Sequence, residues 1–402
     1  MSAWQDVKPG WRVARRGKLD GAGEWTHLYA NPANTVCSGE RLVGADVALQ
    51  WFGPPGADDV VDRHNVAMPP LFKNGKLFCA GLRHTLQALD AYNGTRLWKV
   101  EVPGSLRQLI SHNAGFVCAG EDAVFIASGR TCWTLDADTG AKMHVFEGPK
   151  TGSDWGYVAT QGDWLIGSSQ KPAVSQRAAK GLRGFVDAKV SYSAPAVSEN
   201  VFAFSHKTRK SLWTYTGGAI LNPTFTLGGD TLYFAESRNP KCVNDPSGQA
   251  DMKEFVAQDA FLVALDMATG KERWRKPIPP NTTEAQWIMF LSYSDGLLLS
   301  TRTYWLDDHL TYELKALDAA TGQERWTERV KSPVKGPYAP LSYGKNMQAA
   351  HPSIVGGKVY WLAHTFGTVF CHDLKTGKPD HNPQFGRGWE NKGCAVPTAS
   401  AS

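Results

Sequence analysis

The side chains with chemical promise recur at one kind of place, just ahead of an apolar run. Arg63, His64 and Asn65 precede Met68, and His112 and Asn113 precede Phe116. Trp155 precedes Tyr157, Asn222 precedes Phe225, and Gln286 and Trp287 precede Phe290. Asn346, Gln348 and His351 precede Ile354. A second set falls between consecutive apolar runs: Arg83 with His84, Arg130, Arg302 and His364. Guanidinium, imidazole and amide groups gathered on one surface suit an anionic or planar ligand. The competing reading is that they solvate loops and satisfy backbone groups where strands converge. No catalytic residue is assigned. Gly-x-Ser-x-Gly, the phosphate-loop pattern and His-Glu-x-x-His are all missing, and the eleven histidines show no metal-ligand spacing. Asn239, Asp245, Asp251 and Glu254 could offer oxygens to calcium but lack a regular spacing, so 237–258 is expected to be a solvated loop.

Such dispersed residues need a framework to bring them together, and a repeat supplies it. Ala316-Leu-Asp-Ala-Ala-Thr-Gly-Gln-Glu-Arg-Trp326 is nearly copied at Leu265–Trp274 and again at Leu89–Trp98. Leu135–Gly140 and His372–Gly377 keep the first half and carry His144 and His381 where the others have Trp. Phe204–Trp213 loses Asp and Gly but keeps Trp. Asp, or Ser205, precedes the Trp or His by eight residues each time. Asp suits the start of a tight turn because its carboxylate accepts the N–H two residues on. Gly supplies the positive φ of a turn with a bulge between antiparallel strands. The turn carboxylates therefore read as structural.

A recurrence at about 50 residues indicates a solenoid, propeller or array. Each unit opens with a hairpin, as at Pro69–Ala80 around Lys73-Asn-Gly75, and adds two strands, giving four. The expectation is an all-β, seven-bladed β-propeller of four-stranded antiparallel blades, with eight blades the alternative. Six blades end at Trp98, His144, Trp213, Trp274, Trp326 and His381. Val47–Phe52 reads as the outer strand of a composite seventh blade. That blade closes the ring with C-terminal strands from 393 on, where the C-terminus looks truncated. Residues 1–46 are expected to be an irregular segment packing on the propeller of 47–402, with the aromatics of 21–34 on the first unit. Propeller geometry puts the candidate residues around one channel mouth and the Asp-x-x-Thr-Gly turns on the opposite face. Two insertions, 170–192 and 237–258, share the mouth face and are candidate partner surfaces.

Composition narrows the classes. A formal net charge of +5 without a basic run argues against nucleic acid. No stretch of about 18 apolar residues is present, so no membrane span is expected. The N-terminus lacks a signal peptide, which reads as cytoplasmic, or periplasmic if the N-terminus has been trimmed. Seven cysteines without a CxxC read as mostly buried thiols.

The unit Ala-Leu-Asp-Ala-x-Thr-Gly-x-x-x-Trp resembles the repeat of pyrroloquinoline-quinone (PQQ)-type propellers, across roughly residues 47–386. That group includes quinoprotein alcohol dehydrogenases and the non-enzymatic propeller of the outer-membrane assembly machinery. Gly21–His27 and Val61–Asn65 also resemble a bacterial subgroup of such proteins. The resemblance implies a quinone under two adjacent cysteines, and a calcium or lanthanide held by Glu, Asn and Asp. This chain has no adjacent cysteine pair, and that metal set cannot be placed in it. The reading is therefore a non-catalytic PQQ-like propeller, a scaffold or ligand-binding module with a protein partner or fused domain. The alternative is a quinoprotein-type oxidoreductase or degenerate quinone binder using PQQ and calcium.

Overall fold

The structure is a computed structural model that describes residues 4–13, 19–44, 47–53, 68–81, 84–105, 114–175, 194–280, 289–307, 309–335, 351–363 and 368–380. It opens with a hairpin of β1 (Gln5–Lys8) and β2 (Trp11–Val13), within a segment the sequence reads as irregular. The first blade is β3 (Leu71–Lys73), β4 (Lys76–Gly81), β5 (Thr85–Asp90) and β6 (Arg96–Glu101), paired antiparallel in that order. The second is β7 (Val117–Ala119), β8 (Ala123–Ser128), β9 (Thr131–Asp136) and β10 (Lys142–Glu147). The third is β11 (Asp154–Gln161), β12 (Trp164–Gln170), β13 (Val197–Ser205) and β14 (Ser211–Tyr215). A linking strand, β15 (Ala219–Leu221), joins β13 to the fourth blade. That blade holds β16 (Thr226–Gly228), β17 (Thr231–Ser237), β18 (Ala260–Asp266) and β19 (Glu272–Pro277).

The fifth blade is β20 (Met289–Ser294), β21 (Leu297–Leu306), β22 (His309–Asp318) and β23 (Glu324–Lys335). The sixth shows β24 (Ser353–Val355), β25 (Lys358–Ala363) and β26 (Thr368–Asp373), plus a bridge from His372 to Pro379. The fold is an all-β propeller of four-stranded antiparallel blades. Val47–Phe52 carries no ladder, in contrast to the strand expected there, and its expected partners from 393 on lie outside the described residues.

Local chemistry explains the blade. Asn74 and Gly75 both have positive φ, +49° and +73°, as the two-residue hairpin turn requires. The Asp turn is built identically four times. Oδ1 of Asp136, Asp266, Asp318 and Asp373 accepts the N–H and the hydroxyl of the Thr three residues on. Middle strands such as β17 are buried along their whole length because blades cover both faces, whereas the outer strands bury chiefly their Trp.

That Trp locks one blade to the next. The indole N–H of Trp51, Trp98, Trp213, Trp274 and Trp326 donates to the carbonyl of Ala91, Ala137, Met267, Ala319 and Leu374 respectively. Each acceptor follows the turn Asp of the next blade. The ring lies on that turn's Gly: a Cβ at Gly140, Gly270 or Gly377 would come within 2.6–2.7 Å of the indole. Glycine is required there twice over, for this close approach and for its positive φ.

The 237–258 insertion corrects its sequence reading. It is a packed projection rather than a solvated loop, with Cys242, Ala250, Met252, Phe255 and Val256 buried. Asn239 and Asp251 cap two one-turn helices, α1 (Pro240–Val243) and α2 (Met252–Phe255). Asp245 accepts the Ser247 N–H, and Glu254 pairs with Lys241. These side chains hold the projection together.

Candidate functional site

The channel is filled by the chain itself. Residues 25–35 reach the inner strands of all six described blades, not the first unit alone. Trp25 exchanges two backbone hydrogen bonds with Phe72. The carbonyls of Thr26, Pro32, Ala33 and Thr35 accept from the N–H groups of Ala119, Leu227, Tyr293 and Ile354. His27 Nε2 accepts from the Thr160 N–H at 3.2 Å, so blades one to six are contacted in order. Asn34 Nδ2 donates to the carbonyls of Phe225 and Leu291, tying the fourth blade to the fifth. Most of these contacts fall near the C-terminal ends of the inner strands, so the plug sits towards the turn face.

Polar chemistry and strain both mark the plug. Because His27 Nε2 accepts, its proton is on Nδ1, which faces Thr26 Oγ1 at 2.8 Å. Burial holds the His27 pKa down at about 3, so the ring is neutral. Ala30, Asn34 and Val36 have φ of +73°, +56° and +50°. A β-branched residue there is an outlier, and such positions cost on the order of 1–3 kcal/mol each unless their surroundings enforce them. The Val36 N–H bonds the Tyr29 carbonyl, closing the plug on itself.

Towards the mouth, the structure brings Asn222 and His351 together around a cavity of about 20 Å³, with plug residues His27, Tyr29 and Asn34 on its other side. Asn222 is fully buried. Its Oδ1 accepts from Ser198 Oγ at 2.6 Å and its Nδ2 donates to Gln170 Oε1 at 2.9 Å. His351 Nδ1 faces Ser292 Oγ at 3.1 Å, and its ring lies 4.0 Å from Tyr29 and 4.6 Å from Phe290. Burial also lowers the His351 pKa to about 3. Its Nε2 has no partner among the described residues. The cavity is large enough for one water, which needs roughly 10–15 Å³.

Trp155 points into the core. It is 1 % exposed, meets Phe202 edge-to-face and stacks on Phe204, and donates its N–H to the Tyr157 carbonyl. Arg302 is bound to Glu313 at 2.7 Å, and Arg130 to Glu147 at 3.1 Å. Arg63, His64, Asn65, Arg83, His112, Asn113, Gln286, Trp287, Asn346, Gln348 and His364 lie outside the described residues.

A ligand pocket is ordinarily at least about 300 Å³. The Asn222–His351 cavity is far below that, so at this point the described residues do not fit a three-ring quinone. They include no adjacent cysteine pair and no group of three or more carboxylate, His or Cys side chains able to hold a metal.

The six blades seen among the described residues, antiparallel and mostly four-stranded, joined by Trp on an Asp-x-x-Thr-Gly turn, define a PQQ-like propeller. The profile of the family described as outer membrane protein assembly factor BamB matches residues 38–161 and 123–379, and the chain belongs to that family. The overlap of the two matches is what a repeated unit produces. Among solved structures, BamB from Moraxella catarrhalis is 15 % identical, covering 77 % of this chain and 70 % of that one, with a TM-score of 0.44. A europium-containing methanol dehydrogenase is 14 % identical over 80 % and 69 %, with a TM-score of 0.45. Quinohemoprotein alcohol dehydrogenase from Comamonas testosteroni is 13 % identical over 90 % and 73 %, with a TM-score of 0.48. No curated protein matches the sequence.

Proposed function

We propose that this chain is a non-catalytic binding scaffold that engages a protein partner through the mouth face of its propeller. The observation that carries this reading is the filled channel: where a quinone enzyme needs a cofactor pocket, this chain places its own residues 25–35. In this reading 1–46 is a segment serving the propeller of 47–402. The packed projection of 237–258 adds support, since it follows an inner hairpin on the mouth side and presents Lys241 and Lys253 to solvent. The family description names an assembly factor, which favours a protein as partner. A partner in outer-membrane assembly corresponds to the periplasmic alternative.

Two measurements test the proposal. Thermal-shift titration with PQQ, with and without calcium, is expected to give no saturable stabilisation, because the mouth-side cavity is too small to hold the ligand. Amine cross-linking in cells producing the chain is expected to link Lys241 or Lys253 reproducibly to one protein. Saturable stabilisation by PQQ would reverse the reading in favour of a quinone binder.

A further inference from the structure

Five of the six described blade junctions are closed by a Trp lying on a Gly. The sixth, between the second and third blades, is not. There the Trp position holds His144 and the Gly position holds Arg209, which keeps the positive φ at +62°. A third change accompanies these two. The residue facing the Trp across the ladder is Ala88, Ala203, Ala264 or Ala316 in the other blades, but Thr134 faces His144. The turn is nevertheless preserved. Ser205 Oγ accepts the Thr208 N–H in place of an Asp carboxylate, and itself donates to Asp163 at 2.7 Å. The blades stay joined while the indole is gone.

Beside it lies a cleft of about 720 Å³ on the turn face, which runs from the plug to this junction, with His144, Arg209, Thr134, Phe125 and His206 at the junction end and the carboxylates of Glu24, Glu121, Asp122 and Asp163 along the rest. Its features point to a ligand. Thr134 is 8 % exposed, and its Oγ1 has no hydrogen-bond partner among the described residues. The His206 and Phe125 rings meet edge-to-face at 5.3 Å on one wall. Lys207 and Arg209 stand exposed at the rim, and Asp163, which accepts the Lys207 N–H, faces the same cleft.

We infer that the junction end of this cleft is a binding site for an aromatic side chain on a partner polypeptide. The same niche accepts an indole slab at every other described junction, so its width suits an aromatic ring. Thr134 Oγ1 meets the polar edge of that ring. The excess volume admits the backbone of the partner. The site rests on the reading of the chain as a protein-binding scaffold and adds to it a second, specific face. Truncation studies of interfaces show that buried aromatic anchors of this kind carry most of the affinity.

The test uses the chain as described and the peptide acetyl-Gly-Trp-Gly-Gly-amide carrying 5-fluorotryptophan, followed by fluorine NMR. Saturable binding is expected, weaker by roughly thirtyfold when the peptide's Trp is Ala. Refilling the junction with His144→Trp, Arg209→Gly and Thr134→Ala is expected to raise Tm and abolish binding. Thr134→Val, which keeps shape and removes the hydroxyl, is expected to weaken binding about tenfold and covers the case that the refilled variant misfolds. Absence of saturable binding, or unchanged affinity in either variant, overturns the site. Indole-3-acetate binding as tightly as the peptide overturns the polypeptide ligand. Cross-linked partners that survive refilling also overturn this anchor yet leave the scaffold reading standing, whereas stabilisation by PQQ removes that reading instead.

Discussion

His27 and His351 are where single residues report most directly on the filled channel. Both are buried, and burial lowers each from 6.5 to about 3. A proton taken up only by the unfolded chain makes stability rise with pH. The contribution of these two rings is thus complete above pH 6.5 and is lost as pH falls towards 3. Their ring-proton NMR signals are expected not to move between pH 8 and 5, and a normal titration of either would mean an open channel. Glu313 works in the same direction at lower pH. Burial would raise its pKa, but the charge and hydrogen bonds of Arg302, with those of Arg329, hold it below 4.5. Its share of stability is present above pH 4.5 and declines below it. Glu313→Gln leaves two guanidiniums facing a neutral group. Urea denaturation at pH 7 should show a loss of about 3 kcal/mol, the low end for a broken buried pair because Arg329 is half exposed.

The element that matters energetically is the junction of an outer strand with the next blade's turn. Trp274 is 9 % exposed, and its N–H donates to Ala319 at 2.9 Å. Trp274→Ala is expected to cost about 3–5 kcal/mol in chemical denaturation, as large aromatic truncations do. Gly270→Ala is expected to cost about 1–2 kcal/mol for the left-handed backbone alone, with the Trp213 clash adding to it. These junctions were legible in the sequence because Asp, Gly and Trp hold a constant register. The consequence of breaking that register at His144 and Arg209 was not legible. Two substitutions 65 residues apart (209 − 144) become one cleft only when the neighbouring blades are set side by side. The 237–258 projection was misread for a related reason. Its carboxylates suggested solvent or a cation, and only the structure shows them capping helices over a buried Met252 and Phe255.

At the scale of the molecule, the plug was the least legible feature. Its residues have no periodicity, and its partners are backbone groups that every sequence possesses. The usable signal was polar and aromatic density, with Trp25, His27, Tyr29, Asn31 and Asn34 inside ten residues. A chain lacking residues 1–36 leaves the N–H groups of Phe72, Ala119, Thr160, Leu227, Tyr293 and Ile354 without these acceptors. Each buried donor left unpaired costs about 1–3 kcal/mol. Such a chain is expected to show a markedly lower Tm and faster hydrogen exchange in every inner strand, not only in the first blade. Exchange confined to the first blade would contradict the central placement of the plug.

The plug also sets an order of events in time. It precedes every blade in the chain, yet Thr35 bonds Ile354 of the sixth blade. Its docking positions come into existence one blade after another and are complete only when the sixth blade has been made. Contacts this distant along the chain slow folding. The plug must therefore wait, undocked, while the blades form, and its last contact is made only once the sixth blade is in place.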